Sequence, residues 1–496
     1  MKYINMIDGV CGSGKTTNIL SQINSIEGQM ILAFPTKALA NEVVARINKD
    51  NESRNYISHV DVELYHNDAT ERAVAKLTAA LATSTSKVIV TTHASLTAVG
   101  MNALLNPQVQ ESLSRFTVFA DEAPKGLFTA DVPIRALKNA FFLEHFEQED
   151  DGWMSMTDYS AVHSIYRDSA LLTTAMKNLL WTALAGYKLK KTRVEESHTF
   201  KLSGLSHSPL LEIVRYCKKF HVMASNIKDS PFIVAAKEWC NIESVMSDKK
   251  LQPDVHRNAH YNTARIQCFS LFEGRASQTR MLEHEQAMYD STNKAMGENE
   301  FLFATNERFN EMSELMLENG VRIPYISSGF NCFAGENVHG GNVGGNEFNL
   351  TAEQIKNGFT RVAFIGCARL SPEDKANIYS VEGSQKGERI VDATEISATC
   401  ESAYQTIMRC KLRDQDDESP ITVVFLDDYT MHYCINNYFP EAKIIESGMI
   451  KIKKTKTSKA DKTREEVQYH KLMGFTQSQT AAAMSKGIAT IKRHWN

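Results

Sequence analysis

Short apolar runs of four to nine residues, most of them followed by a small polar cluster, recur along the chain and alternate with stretches of helical spacing. Those at Tyr3–Asp8, Met30–Phe34, Lys87–Val90, Phe116–Ala120 and Phe220–Ala224 are continuous rather than alternating. Runs of this kind predict strands buried on both faces, as in a parallel sheet with helices on either side. A second series at Ala264–Phe272, Glu300–Thr305, Ile323–Ser327, Arg361–Ile365 and Ile421–Leu426 predicts a second parallel sheet.

Between Pro124 and His221 lie 96 residues, several times what joins neighbouring strands. Tyr159 to Leu184 carries Val162, Ile165, Leu172, Met176 and Leu180 at helical spacing, so a helical insertion is expected there. Its aromatics Trp153, Tyr166 and Trp181 are either core or platforms for stacking bases. The Gly- and Asn-rich run Gly335–Asn349 has no periodicity and reads as a surface loop. After a lysine-rich linker, Thr463–Met473, Thr476–Met484 and Ile488–Trp495 read as three short helices. The expected architecture is α/β: lobe one over 1–125 and 218–258, the helical insertion over 126–217, lobe two over 259–448, a basic linker over 449–462, and an all-α module over 463–496.

At 496 residues several cores are required. No apolar stretch reaches the roughly 18 residues of a membrane span, and the nine cysteines form no Cys-x-x-Cys pair. A soluble protein of the bacterial or host cytoplasm, without a disulfide framework, is expected. The net charge of −4 conceals an asymmetry: residues 451–496 hold 11 Lys plus Arg against 3 Asp plus Glu, a local +8. That tail is either a solvated segment or a phosphate-binding arm.

The first strand leads into Gly9-Val10-Cys11-Gly12-Ser13-Gly14-Lys15-Thr16, the pattern G-x-x-x-x-G-K-[ST] between a strand and a helix. Glycines in such a loop let backbone N–H groups curl around phosphate oxygens. Lys15 then reaches the β/γ-phosphates of ATP, Thr16 ligates Mg²⁺, and Gly9, Gly12, Ser13, Gly14 and Thr17 complete the cradle. The strand Phe116–Ala120 delivers Asp121 and Glu122, one carboxylate for the Mg²⁺ and one to polarise the attacking water. Thr36 and Lys37 after the second strand, and Thr92 after the third, place donors where a nucleic-acid strand would cross; a simple helix cap is the alternative for each hydroxyl. In the second half, Gln405, Arg409 and Arg413 recur every four residues, so a continuous helix would project them from one face. Guanidinium groups arriving from a second lobe would make hydrolysis depend on cleft closure.

In order, the P-loop, PTKALA, TTHASL, DEAP and MASN segments resemble motifs I, Ia, Ib, II and III of superfamily 2 helicases, and Gln405-x-x-x-Arg409 resembles motif VI. The resemblance implies two RecA-like P-loop NTPase lobes using ATP and Mg²⁺ on nucleic acid, with DNA the expected partner: a single strand in the motor groove and a duplex at the tail. Phe475 to Arg493 resembles a helix-turn-helix, with Thr490, Lys492 and Arg493 on the candidate recognition helix. A motor with its own DNA-reading module resembles phage, plasmid or viral replication helicases. A viral DNA-packaging ATPase with a nuclease cluster at Asp392, Asp427 and Asp428, and an ATP-switched DNA-binding protein that unwinds nothing, are the rival readings.

Overall fold

A computed structural model describes residues 2–53, 60–65, 71–134, 141–149, 152–168, 172–194, 199–253, 261–323, 354, 357–370, 372–414, 416–445, 459–472, 475–484 and 486–495. Lobe one is built on β1 (Tyr3–Asp8), β2 (Gln29–Phe34), β3 (Val62–Tyr65), β4 (Val88–Thr92) and β5 (Phe116–Asp121). An insertion follows, containing β6 (Leu127–Ile134), β7 (Phe146–Gln148), β8 (Trp153–Met156), β9 (Leu189–Val194) and β10 (Thr199–His207). Lobe one then closes with β11 (Lys219–Ala224) and β12 (Glu243–Met246).

Its seven strands run parallel in the order β12-β1-β11-β5-β2-β4-β3. Alternate residues enter two separate cores. Ile4, Ile31, Val118 and Val222 pack on one face, and Ile7, Leu32, Phe119 and Met223 on the other. Both faces are covered, which is why these strands read as unbroken apolar runs.

Lobe two carries β13 (Ile266–Phe272), β14 (Phe301–Ala304), β15 (Gly320–Arg322), β16 (Arg361–Phe364), β17 (Ile421–Asp427) and β18 (Lys443–Ile444). They form a parallel six-stranded sheet in the order β15-β14-β16-β17-β13-β18. Of the strand expected at Ile323–Ser327, residues 324–327 lie outside the described residues, as does the run Gly335–Asn349. Most of the linker, 449–458, lies outside them too.

The insertion corrects the sequence expectation, because it is not a helical body. It is a five-stranded antiparallel sheet, β6-β10-β9-β8-β7, carrying the helices Tyr159–Asp168 and Thr174–Leu184. One face packs on the insertion's own helices, while on the other Leu205 of β10 and Leu127 of β6 meet Ile378 and Ile390 of lobe two. The strands mix Lys, Thr and Ser with Leu and Phe, so they lack a continuous apolar run. Leu179 and Leu180 pack with Leu189 and Leu202 in one core, so the helical face read from the sequence is real and is laid on the sheet. Trp181, one of the stacking candidates, is fully buried and donates its indole N–H to the Met101 carbonyl of lobe one at 3.2 Å. Helix Leu210–Tyr216, within the span assigned to the insertion, packs into the core of lobe one.

The C-terminal module comprises the helices Lys459–Leu472, Gln477–Ala483 and Ile488–His494, joined around buried Val467, Thr480 and Ile491. Thr476 and Gln479 form a reciprocal capping box at the start of the middle helix. Among the described residues, no helix is long and apolar enough to cross a membrane.

Candidate functional site at the junction of the two lobes

Parallel pairing brings the C-terminal ends of β1, β5 and β11 to one edge, with Asp8 beside Ala224 and Asp121 beside Met223. Loops at such an edge are where open parallel sheets bind ligands. The loop after β1 turns through Gly12 (φ 75°) and Gly14 (φ 81°), a left-handed backbone that glycine adopts at little cost. Gly14 caps helix Lys15–Ser21, so the first N–H groups of that helix face the cleft. Lys15 lies folded over its own loop, its ammonium donating to the Gly9 carbonyl at 2.8 Å and the Val10 carbonyl at 3.0 Å.

The Thr16 hydroxyl stands 3.4 Å from both carboxylate oxygens of Asp121. Burial pushes the Asp121 carboxyl up to about 6, against the opposing pull of the Lys15 charge and the Thr16 hydroxyl. A buried carboxylate beside a hydroxyl is a hard-oxygen donor set that suits Mg²⁺, whose charge would restore full ionisation. Glu122, next in the chain, takes φ 62° and is held there by its N–H donating to the Met223 carbonyl at 2.8 Å. A non-glycine residue in that region carries strain, and such strain collects at functional positions.

Lobe two supplies the opposite wall. Helix Pro372–Ile396 runs through a π-helical turn, Ser397–Glu401, into helix Ser402–Ile407. The expected single helix over Tyr404–Arg413 is corrected here: it ends at Ile407, Arg409 lies in a turn, and Lys411–Arg413 is a 3₁₀ turn. Met408, Cys410 and Leu412 are buried in the lobe-two core, and satisfying them breaks the four-residue repeat. Gln405, Arg409 and Arg413 nevertheless line the same cavity of about 360 Å³ as Gly12, Gly14, Lys15, Thr16, Thr17, Asp121 and Glu122. Arg409 is only 7% exposed. Arg413 reaches the loop apex: a Cβ built on Gly12 would sit 3.3 Å from its Nη2.

The lobes also touch through residues the sequence did not single out. Val10 is buried in the lobe-two core beside Tyr404. The Cys11 N–H donates to the Tyr404 hydroxyl at 2.9 Å, and the Tyr261 hydroxyl donates to the Cys11 carbonyl. Tyr404 stacks on Tyr438, with ring centroids 3.6 Å apart. The Tyr438 hydroxyl donates to Glu401 at 2.7 Å, and Glu401 also accepts from Tyr433 at 2.5 Å. Asn226, at the end of β11 with φ 48°, donates to the Tyr433 hydroxyl at 2.6 Å. A continuous chain of contacts therefore runs from the P-loop through lobe two to the loop after β11. The one local hint in the sequence is that Tyr404 adjoins Gln405; the rest are contacts between distant segments.

The candidates after β2 and β4, on the same edge of the sheet, do not line this cavity. Thr36 accepts the Leu39 N–H at 3.3 Å, and Thr92, 5% exposed, accepts from Ser95 at 3.3 Å, so both hydroxyls cap helices. For Thr92 this corrects the expectation of a hydroxyl presented to a strand; Lys37 beside Thr36 is half-buried at the start of its helix. In the tail, Lys492 and Arg493 are exposed and Thr490 is half-buried.

Residues 5–124, about a quarter of the chain, match the family model described as DEAD/DEAH box helicase. No curated protein matches the sequence. Solved structures align loosely over most of the chain. The structure of S. tokodaii Xpd4 is 13% identical, with 90% of this chain and 96% of that one covered and a TM-score of 0.45. A structure titled XPD_APO is 11% identical, covering 90% and 97% with a TM-score of 0.46. S. cerevisiae Dbp5 bound to RNA and ADP BeF3 is 10% identical, covering 95% and 89% with a TM-score of 0.38.

Proposed function

We propose that this chain, an ATP-hydrolysing enzyme whose first lobe carries a DEAD/DEAH box helicase domain, is a helicase or translocase that moves along DNA in the replication of a phage or plasmid. The carrying observation is that Arg409 and Arg413 of lobe two line one cavity with Lys15, Thr16 and Glu122 of lobe one.

In this reading the N–H groups from Cys11 to Thr17 bind the phosphates, and Lys15 leaves the Gly9 and Val10 carbonyls for the β/γ oxygens. Thr16 and Asp121 hold Mg²⁺, which when bound neutralises charge on the phosphate oxygens. Glu122 takes the proton of the attacking water. Gln405, Arg409 and Arg413 face the γ-phosphate and stabilise the charge that spreads over it as the bond breaks. Because those donors sit on the far lobe, hydrolysis and cleft closure are one event. Each cycle then displaces whatever the two lobes hold between their outer edges, with Thr36 and Lys37 marking that edge on lobe one. The tail, as a helix-turn-helix, would tether the motor to duplex DNA through Thr490, Lys492 and Arg493.

The nuclease rival loses its cluster, since Asp427 is 2% exposed and its carboxylate is committed to the N–H groups of Thr430 and Ala276. The test is ATP hydrolysis with and without single-stranded DNA, together with strand displacement. Lys15→Ala and Glu122→Gln should each abolish the DNA-stimulated rate. Deleting 451–496 should leave basal hydrolysis and weaken duplex binding in a salt-dependent way. A protein that hydrolyses ATP at one rate with or without DNA, and displaces no strand, would contradict the reading.

A further inference from the structure

A second cavity, about 1360 Å³, opens between the insertion and the helices that follow β3 and β4. It exceeds the roughly 300–1,000 Å³ of small-molecule sites. One wall is the edge of lobe one, with Pro35, His93 and Ala94. The other wall belongs to the insertion: the start of β6 with Phe128, the end of helix Tyr159–Asp168, and helix Thr174–Leu184 with Lys177.

The lining combines two chemistries. Lys125, Arg167 and Lys177 are cationic, and Asp168 is the one acidic side chain of the lining. Phe128 and Tyr166 contribute rings, and Phe128 is braced edge-on by Trp181 at 5.4 Å. Cations that follow a backbone, interleaved with aromatic faces, are what binds single-stranded nucleic acid without reading its sequence. Duplex offers no unstacked base faces to such rings, so the lining selects for a single strand.

We infer that the insertion is the second wall of the strand path: a single DNA strand passes between lobe one and the antiparallel sheet, its phosphates on Lys125, Arg167 and Lys177 and its bases against Phe128 and Tyr166. This rests on the proposed motor function and adds to it the purpose of the insertion. It also gives the strand a short route to the chemistry, because Lys125 stands three residues after Glu122 at the end of β5. Thr92, whose hydroxyl is turned inward, is then not needed as a contact.

The test is fluorescence anisotropy of a labelled 20-residue oligothymidylate with the full chain, across a salt series. Arg167→Gln with Lys177→Gln should weaken binding at least tenfold. It should also flatten the slope of log affinity against log salt by about 1.4, at about 0.7 per lost phosphate contact. Basal ATP hydrolysis should be unchanged, showing that the variant is folded. Asp168→Asn should tighten binding two- to fivefold, a change that misfolding does not produce. Unchanged affinity and slope in the double variant, while the parent chain binds the oligonucleotide, would overturn the strand path and leave the motor function standing. A parent chain that binds no oligonucleotide would overturn both.

Discussion

The Tyr404 hydroxyl accepts the backbone N–H of Cys11 at 2.9 Å, so a side chain of lobe two occupies a donor of the phosphate loop. Lys15 lies on the Gly9 and Val10 carbonyls and Cys11 lies between two tyrosines, so the cation of the loop and one of its donors have protein partners. Nucleotide entry must therefore exchange these bonds for phosphate contacts.

Tyr404→Phe tests that exchange. The ring keeps its stack on Tyr438, but the Cys11 N–H loses its acceptor. A part-buried donor left without its acceptor costs up to about 1–3 kcal/mol, and a bound phosphate would recover it. ADP should bind about fivefold or more tighter, measured by titration calorimetry, and kcat should fall because the helix holding Gln405 loses its anchor. Unchanged ADP affinity would show that Tyr404 does not compete with nucleotide.

Gly12→Ala should be inactive for two separate reasons. Its φ of 75° strains any other residue, and the added Cβ would sit 2.6 Å from the Tyr261 hydroxyl. We expect ATP hydrolysis to fall by at least a hundredfold and the melting temperature of the ligand-free protein to drop. Tyr261→Phe removes the hydroxyl that the new Cβ meets without changing the strain on the loop. In the double variant it should restore part of the stability and none of the activity.

Asp121 is the clearest trade of stability for chemistry. Its carboxyl is lifted from 3.8 to about 6, so keeping it ionised in the folded state is unfavourable. The cost is absent below about pH 4, grows as pH rises, and is complete above about pH 6. Asp121→Asn should therefore stabilise the ligand-free protein by about 1–3 kcal/mol at pH 8 and by little at pH 4, measured by denaturant unfolding. It should also abolish Mg²⁺-dependent nucleotide binding. No gain at pH 8 would mean that the carboxylate is well solvated.

Two histidines set the response to acid. Burial pulls His93 and His221 from 6.5 to about 4, and His221 is stacked on Phe119 with its Nδ1 2.9 Å from Ser247 Oγ. Below about pH 6.5 the unfolded chain takes up protons that the folded chain refuses, so stability is full above that pH and falls until about pH 4. Each group contributes up to about 1.4 kcal/mol per pH unit in this window, and Asp121 opposes them with one group of the reverse sign. His221→Gln should flatten the loss of stability between pH 6 and 4, read from unfolding at half-unit intervals. An unchanged slope would mean that His221 is protonated in the fold.

The legibility of the fold followed burial. β1, β2, β4, β5 and β11 are covered on both faces, so their sequences are continuous apolar runs and their C-terminal loops could be placed with their chemistry. β9 and β10 carry Lys190, Lys191 and Lys201, and the buried stretch of β10 runs through Ser203, Ser206 and His207, so they were hidden behind the stronger helical signal of Leu179 and Leu180. β12 is four residues long and half-exposed, below what periodicity can register. Gln405, Arg409 and Arg413 were found by their spacing although the helix that spacing implied stops at Ile407. Turns bring them to one cavity with the P-loop, by a local geometry other than the one the spacing implied. Tyr404, Tyr261 and Glu401 gave no usable signal, because a contact between residues 11 and 404 leaves no local pattern. Asp121 and Glu122 needed only the apolar strand that ends at them.

The central claim is that lobe two completes the catalytic centre of lobe one, and Arg409→Ala measures it most directly. In single-turnover hydrolysis of ATP with single-stranded DNA present, the variant should bind ATP within about twofold of the parent and hydrolyse it at least a hundredfold more slowly, below the 10³–10⁵ that an arginine finger contributes at most. A variant that hydrolyses ATP at the parental rate would place the whole of the chemistry in lobe one and contradict the account.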